Sequence, residues 1–286
     1  MITYSDSNAD RVAGDDGPAG LLVDAEWIAE HLEDPDVRLV EVDVSPAAYD
    51  SGHIPGAVLW NAYTDLRHAD YTPIDAAELE AVLSRSGISR QSTIVLYGYG
   101  AYLGFWLMKC YRHDRVLMMD GPRERWARAG YQWSVEPALI TGSSYPLPAA
   151  DRALIASREV VEELIGQPDA LVVDARSEAE FVGLCFWPSG ATEDAGRAGH
   201  IPAAVHIPCD LVRDKDGALR SPEELRTLFD ASGVGSDRRV LTYCTIGNRA
   251  SQVWFALKYV LGHHDVSVYY GSWAEWGKLA ATPIET

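Results

Sequence analysis

The sequence has no run of apolar residues approaching the ~20 that a membrane-spanning helix needs, which excludes an integral membrane class. Residues 1–8 hold neither a basic patch nor an apolar core, so no secretory leader is expected and a cytoplasmic location follows. Positive charge is scarce. With 24 Lys and Arg against 42 Asp and Glu, the formal net charge is −18. Nucleic-acid binding requires a basic footprint, so that class is excluded as well. A small anionic ligand has to be held by local positive potential against the field of the whole chain. Cysteine is sparse, with four at positions 110, 185, 209 and 244. None falls in a CxxC or other metal-ligand spacing, so free thiols in a reducing compartment are expected, with no metal and no cofactor.

What is present is an ordinary globular composition, 47% hydrophobic and 23% charged over 286 residues, enough for one large or two ordinary domains. One stretch stands out chemically, Tyr243-Cys244-Thr245-Ile246-Gly247-Asn248-Arg249. The apolar, β-branched run 239–243 before it reads as a buried strand. Behind it, Val253, Trp254, Leu257, Val260 and Leu261 recur at helical spacing over 251–261, and Gly262 supplies a stop. A lone cysteine at the tip of a strand thus lies beneath the start of a helix. Unpaired N–H groups and the helix dipole favour a thiolate there, and Gly247 lets the loop curl its N–H groups inward. On spacing alone, a thiol packed as a small hydrophobe fits equally well.

The order of elements repeats. Residues 1–20, rich in Asp, Gly, Ser and Ala, read as a disordered tail. Within 21–136 a helix capped by Asp24 precedes a strand ending at Asp43. There follow a turn at His53-Ile54-Pro55-Gly56, a capping box from Asp75 to Glu78, a core strand 93–97, and Gly121 five residues before Trp126. Residues 137–152 carry several Pro, Gly and Ser and read as a linker. Within 153–286 the counterparts are a helix from Ser157, a strand ending at Asp174, His200-Ile201-Pro202-Ala203, a capping box from Ser221 to Glu224, strand 239–243, and Gly271 five residues before Trp276. This is a duplicated domain. Each half alternates strands with helices, which predicts a mostly parallel sheet covered by helices on both faces, with sites beyond the carboxyl ends of strands. Aligning Tyr97 with Tyr243 sets Gly98 opposite Cys244, and no arginine follows it. The first half is therefore expected to be a non-catalytic partner with a shortened loop. Tyr99 and Tyr102 could reach the cleft between the halves, but core or surface packing is the expected use of either.

The tandem α/β repeat, the His-Ile-Pro turns, the single cysteine loop and the closing Gly271-Ser272-Trp273 with Glu275-Trp276 resemble the rhodanese family, the thiosulfate and 3-mercaptopyruvate sulfurtransferases. The loop is similar to the Cys-Arg-Ile-Gly-Glu-Arg of bacterial two-domain members. The resemblance implies a sulfurtransferase in which Cys244 takes the outer sulfur of a small anionic donor as a persulfide. Cyanide or a thiol then removes it, without a cofactor. It also implies a substrate-binding loop made of Thr245, Ile246, Gly247, Asn248 and Arg249, whose N–H groups stabilise negative charge. Arg249, whose planar fork suits sulfonate oxygens, and Arg176, expected to point to the same rim, are the candidate cations. Asp174, His200 and His53 are expected to be structural. Glu180 stands where many mammalian-type members carry a substrate-contacting arginine, so the donor is not fixed by that position; the bacterial resemblance favours thiosulfate, with 3-mercaptopyruvate the alternative. Related phosphatases use Cys-x5-Arg, one residue longer than Cys244-x4-Arg249, so the ring here is expected to be too small for phosphate. A persulfide carrier serving a protein acceptor shares the same chemistry. Cys110, Cys185 and Cys209 are expected to be structural thiols, and residues 185–199 a mobile rim inserted in the second half.

Overall fold

A computed structural model describes residues 20–235 and 237–286, and the expected tail falls, up to residue 19, outside them. The first half runs β1 (Leu22–Val23), α1 (Ala25–Glu30), β2 (Val37–Asp43), α2 (Ala47–Ser51), β3 (Val58–Asn61), α3 (Ala76–Arg85), β4 (Thr93–Tyr97), α4 (Ala101–Cys110), β5 (Val116–Met119) and α5 (Arg125–Arg128). The second repeats it as β6 (Ile155–Ala156), α6 (Arg158–Leu164), β7 (Ala170–Asp174), α7 (Glu178–Phe181), β8 (Val205–His206), α8 (Pro222–Ala231), β9 (Arg239–Tyr243), α9 (Asn248–Phe255), β10 (Val266–Tyr269) and α10 (Ser272–Trp276). Two five-stranded sheets result, ordered β1-β5-β4-β2-β3 and β6-β10-β9-β7-β8. All their pairings are parallel. The chain is thus α/β, with two tandem domains of one topology. Every residue of β4 is buried, as expected of a strand covered on both faces.

The capping boxes at Asp75 and Ser221 both form, so α3 and α8 start where the sequence places them. The register corrects one match between the halves. Glu41 lies beside Tyr97 and Asp174 beside Tyr243, so the counterpart of Asp174 is Glu41, not Asp43. Side chains two apart on a strand share a face, and periodicity could not separate the two acids. The helix behind Cys244 also differs from its expected span. It begins at Asn248, and its last stretch, Ala256–Val260, widens into a π-helix.

The halves meet through α4 and α9. Phe105 sits edge-on to Phe255 at 5.2 Å and to Tyr259 at 5.3 Å, and Tyr102 meets Phe255 at 5.3 Å. Because each helix follows the central strand of its own sheet, this contact brings the carboxyl ends of β4 and β9 together. Tyr102 is spent in this packing rather than in a cleft. Residues 137–150 have no regular structure but lie on the first half. Buried Tyr145 is hydrogen-bonded to His113 Nδ1 at 2.7 Å, and Ser143 Oγ donates to the Ile88 carbonyl at 2.5 Å.

Candidate active site

Cys244 follows directly on β9 and is buried. Gly247 has φ +91°, the left-handed region that glycine enters without a Cβ clash. That turn aims the Gly247 N–H at Cys244 Sγ, 3.1 Å away. The start of α10 holds the loop backbone from the other side. The Cys244 N–H donates to Ser272 Oγ at 3.3 Å, while the N–H groups of Trp273 and Ala274 donate to the carbonyls of Cys244 and Thr245, both at 2.9 Å. The Gly271-Ser272-Trp273 motif therefore serves as a clamp on the cysteine loop. The first turn of α9 adds N–H groups that have no partner within the helix.

Arg249 is not free to meet a ligand alone. Its Nη1 donates to Glu180 Oε2 at 2.7 Å and its Nη2 to Oε1 at 2.8 Å, a bidentate pair with the carboxylate fully buried. Thr245 Oγ1 donates to the same carboxylate at 2.7 Å, and Ser177 Oγ does so too at 2.7 Å. Burial pushes the Glu180 carboxyl up, but the Arg249 guanidinium with the Thr245 and Ser177 hydroxyls outweighs it and holds Glu180 at about 2. Thus Glu180, read in sequence only as a missing arginine, ties α7 to the loop.

Arg176 points away from the expected rim. It is fully buried, with Nε and Nη2 on Asp174 Oδ2 at 3.1 and 2.6 Å and Nη2 also on the Gly199 carbonyl at 2.7 Å. Its guanidinium lies over the Trp273 ring at 4.3 Å. Asp174 also accepts the Tyr243 hydroxyl at 2.5 Å and the Arg176 N–H at 2.9 Å, anchoring the base of the loop. His200 stacks on Phe181 at 3.8 Å and bonds its carbonyl at 2.8 Å. His53 stacks on Tyr49 at 3.8 Å and is hydrogen-bonded to the carbonyls of Tyr49 and Glu136. Asn248 Nδ2 donates across the domain junction to the Tyr99 carbonyl at 3.4 Å, and Ile246 packs in an apolar cluster with Trp187 and Trp273.

The first half supplies more of the site than its sequence suggested. Tyr63 and Tyr99 both lie within electrostatic reach of Cys244 and Arg249, and burial pushes the Tyr99 phenol up to about 12. Arg67, not singled out in the sequence, is buried and donates to the carbonyls of Ile246, Tyr270 (2.7 Å) and Tyr71 (2.5 Å). A signal for it did exist. Arg67 and Arg213 open equivalent short hairpins, bridged to Pro73 and Leu219, just before the two capping boxes. Arg213 turns into its own half, to Gln252 Oε1 at 2.8 Å from Nε.

Gly98 stands where Cys244 does but has φ +91°, the value found at Gly247, and a Cβ placed on it would fall 2.9 Å from the Val42 carbonyl oxygen. Since α4 starts at Ala101, the loop is one residue shorter than the one before Asn248. The inserted stretch 185–199 is tethered. Trp187 packs on Tyr71 of the first half at 4.9 Å, and Lys278 Nζ, paired with Asp194, lies over the Tyr71 ring at 4.6 Å. Cys110, Cys185 and Cys209 are free thiols, and burial pushes each upward, Cys209 to about 12.

Comparison with known proteins agrees with the tandem fold. Residues 24–129 and 157–279 each match the rhodanese-like domain. The sulfur carrier protein TtuD of Thermus thermophilus is 39% identical over 92% of this chain and 96% of its own. A protein of Saccharopolyspora erythraea, provisionally named a thiosulfate sulfurtransferase, is 36% identical over 93% of this chain and 96% of its own. Among solved structures, the anaerobic ergothioneine biosynthesis enzyme of Chlorobium limicola, with trimethyl histidine bound, has a TM-score of 0.82 at 26% identity. That alignment covers 93% of this chain and 70% of that one. A variant of the enzyme EanB, with ergothioneine covalently linked to a persulfide cysteine, also has a TM-score of 0.82, at 27% identity, covering 93% of this chain and 70% of that one. With both halves matched and the cysteine loop present only in the second, the chain belongs to the rhodanese family as a tandem of two rhodanese-like domains.

Proposed function

We propose that the protein is a thiosulfate sulfurtransferase working through a Cys244 persulfide. The Cys244 thiolate attacks the outer sulfur of thiosulfate. The donor's S–S bond breaks, sulfite leaves with its electron pair, and the outer sulfur stays on Cys244 as a persulfide anion. Cyanide or a thiol then attacks that outer sulfur and the thiolate is restored, giving thiocyanate when the acceptor is cyanide. Both forms of the residue carry negative charge on sulfur, so a fixed N–H donor beside it favours each.

The observation that carries this reading is the Gly247 N–H held 3.1 Å from Cys244 Sγ at the start of α9. Because Glu180 already occupies the Arg249 fork, the donor's anionic end is held by loop and helix N–H groups in this reading. Arg249 then shapes the loop instead of gripping the sulfonate, and Arg176 takes no part in binding. A second reading, a persulfide carrier serving a protein acceptor, is favoured by the sulfur carrier name of the Thermus relative.

The test treats wild type and Cys244→Ser with thiosulfate and with 3-mercaptopyruvate and weighs the protein by mass spectrometry. One added sulfur on Cys244, lost to cyanide as thiocyanate, is expected with thiosulfate, and none in the variant. Sulfur on Cys185 or Cys209 refutes the assignment. Persulfide that forms but passes to cyanide no faster than in free solution favours the carrier reading.

A further inference from the structure

Two arginines are buried outright among the described residues, and they differ in one respect. Arg176 is neutralised by Asp174. Arg67 makes no ion pair there. Its acceptors are the backbone carbonyls of Tyr71, Ile246 and Tyr270, and its Nε–H is buried with no acceptor at all. Its guanidinium lies 4.1 Å from the centre of the Tyr270 ring, and that same ring would stand 2.8 Å from a Cβ on Gly247. An unneutralised cation buried this way is expensive unless a negative group shares its surroundings. Tyr270, Cys244 and Tyr63 lie within electrostatic reach of it, and more weakly the Glu275 carboxylate, which makes no ion pair with it.

The carbonyl it grips matters. The Ile246 oxygen and the Gly247 N–H belong to one peptide unit, and in a planar trans peptide they point to opposite sides. Arg67 holds one edge of that unit while Cys244 Sγ receives the other. Gly247, at φ +91°, is the residue type that lets such a unit turn over, which would swing the carbonyl toward the sulfur.

We propose that Arg67, carried by the half without a nucleophile, is the positioning residue of the site. It pins the Ile246–Gly247 peptide so that the N–H faces Cys244, and it supplies an unpaired positive charge beside which a sulfur anion is favoured. The inactive domain is then a working part of the active site, and the nucleophile loop depends on the domain junction. This rests on the proposed function only in taking Cys244 as the reacting atom.

The test compares Arg67→Met, Arg67→Lys and Arg213→Met in the full chain. Alkylation of Cys244 by iodoacetamide is followed at its peptide by mass spectrometry, and the Gly247 amide proton by NMR of glycine-labelled protein. For Arg67→Met the expected results are alkylation slowed roughly tenfold, the loss of about one hydrogen bond's worth of stabilisation, and an upfield move of the Gly247 amide proton. Arg67→Lys keeps the charge but not the fork and is expected to fall between. Arg213→Met, the repeat counterpart, is expected to change neither readout. An unchanged Gly247 signal and alkylation rate in folded Arg67→Met overturn the proposal, and so does an equal effect from Arg213→Met. If Arg67→Met does not fold, the Lys variant decides by the same two readouts. Normal alkylation with no sulfur taken from thiosulfate faults the functional reading and leaves the role of Arg67 standing.

Discussion

In the first half a guanidinium reaches Glu41 from beyond β5, and in the second one reaches Asp174 from two residues away. Arg123 pairs with Glu41 through Nε at 3.0 Å, donates to the Gly52 carbonyl and lies over Trp133 at 4.5 Å. Arg176 pairs with Asp174, donates to the Gly199 carbonyl and lies over Trp273. Each glycine directly precedes the histidine of its His-Ile-Pro turn, and each acid lies beside the tyrosine whose hydroxyl accepts the isoleucine N–H of that turn, both at 3.1 Å. The halves thus bury the same cation against the same acid, strand end and turn by different routes. A feature shared with the half that lacks the cysteine loop is read as scaffold, which supports a structural role for Arg176. Among the features that belong to the second half alone are the longer loop, Cys244, and Arg249 with Glu180.

The most forceful way to break this comparison is to remove the two cations in turn. Arg176→Met and Arg123→Met each leave a buried carboxylate unpaired, and each is expected to lower stability by about 3–5 kcal/mol in urea unfolding. Sulfur transfer per folded molecule should survive in both. A selective loss of transfer in Arg176→Met would return that residue to the binding site.

The pair found in only one half comes next. Glu180→Gln keeps the size and loses the charge opposite Arg249, with an expected loss of about 2–3 kcal/mol and a fall in transfer, since the loop loses its tie to α7. The pH dependence has a definite sign. Glu180 is held at about 2, below its ordinary 4.5, so its stabilisation is complete above that ordinary value. It is lost as pH falls from about 4.5 toward 2, because the unfolded chain binds the proton first. Thermal unfolding of wild type should weaken across that window, and Glu180→Gln should show a shallower slope there.

The smallest effects test the two loop glycines. Gly98→Ala and Gly247→Ala both force a Cβ into a left-handed conformation and into contacts at 2.9 Å and 2.8 Å, so each should cost about 1–2 kcal/mol. Only Gly247→Ala should also slow sulfur transfer, because only that glycine orients an N–H at a thiol. Equal slowing by both would mean that the first half's loop shares in the chemistry.

Much of this was legible in the residues. The repeat, the alternation of strands and helices, both capping boxes and the strand–cysteine–helix setting depend on neighbours a few positions apart, where spacing maps directly onto geometry. Those local rules determined the tandem α/β fold and placed Cys244 at a strand end before a helix in the second half alone. They could not separate Glu41 from Asp43, since both lie on one face of β2. Nor could they show that Glu180 saturates the Arg249 fork, that Arg176 is buried, or that Arg67 crosses from one domain to hold the loop of the other. Except for the Asp174 carboxylate beside Arg176, the partners are far away in the chain, where charge and size are visible in the sequence but pairings are not. Packing within the second domain decided the first two, and the packing of α4 against α9, which sets the two strand ends face to face, decided the third.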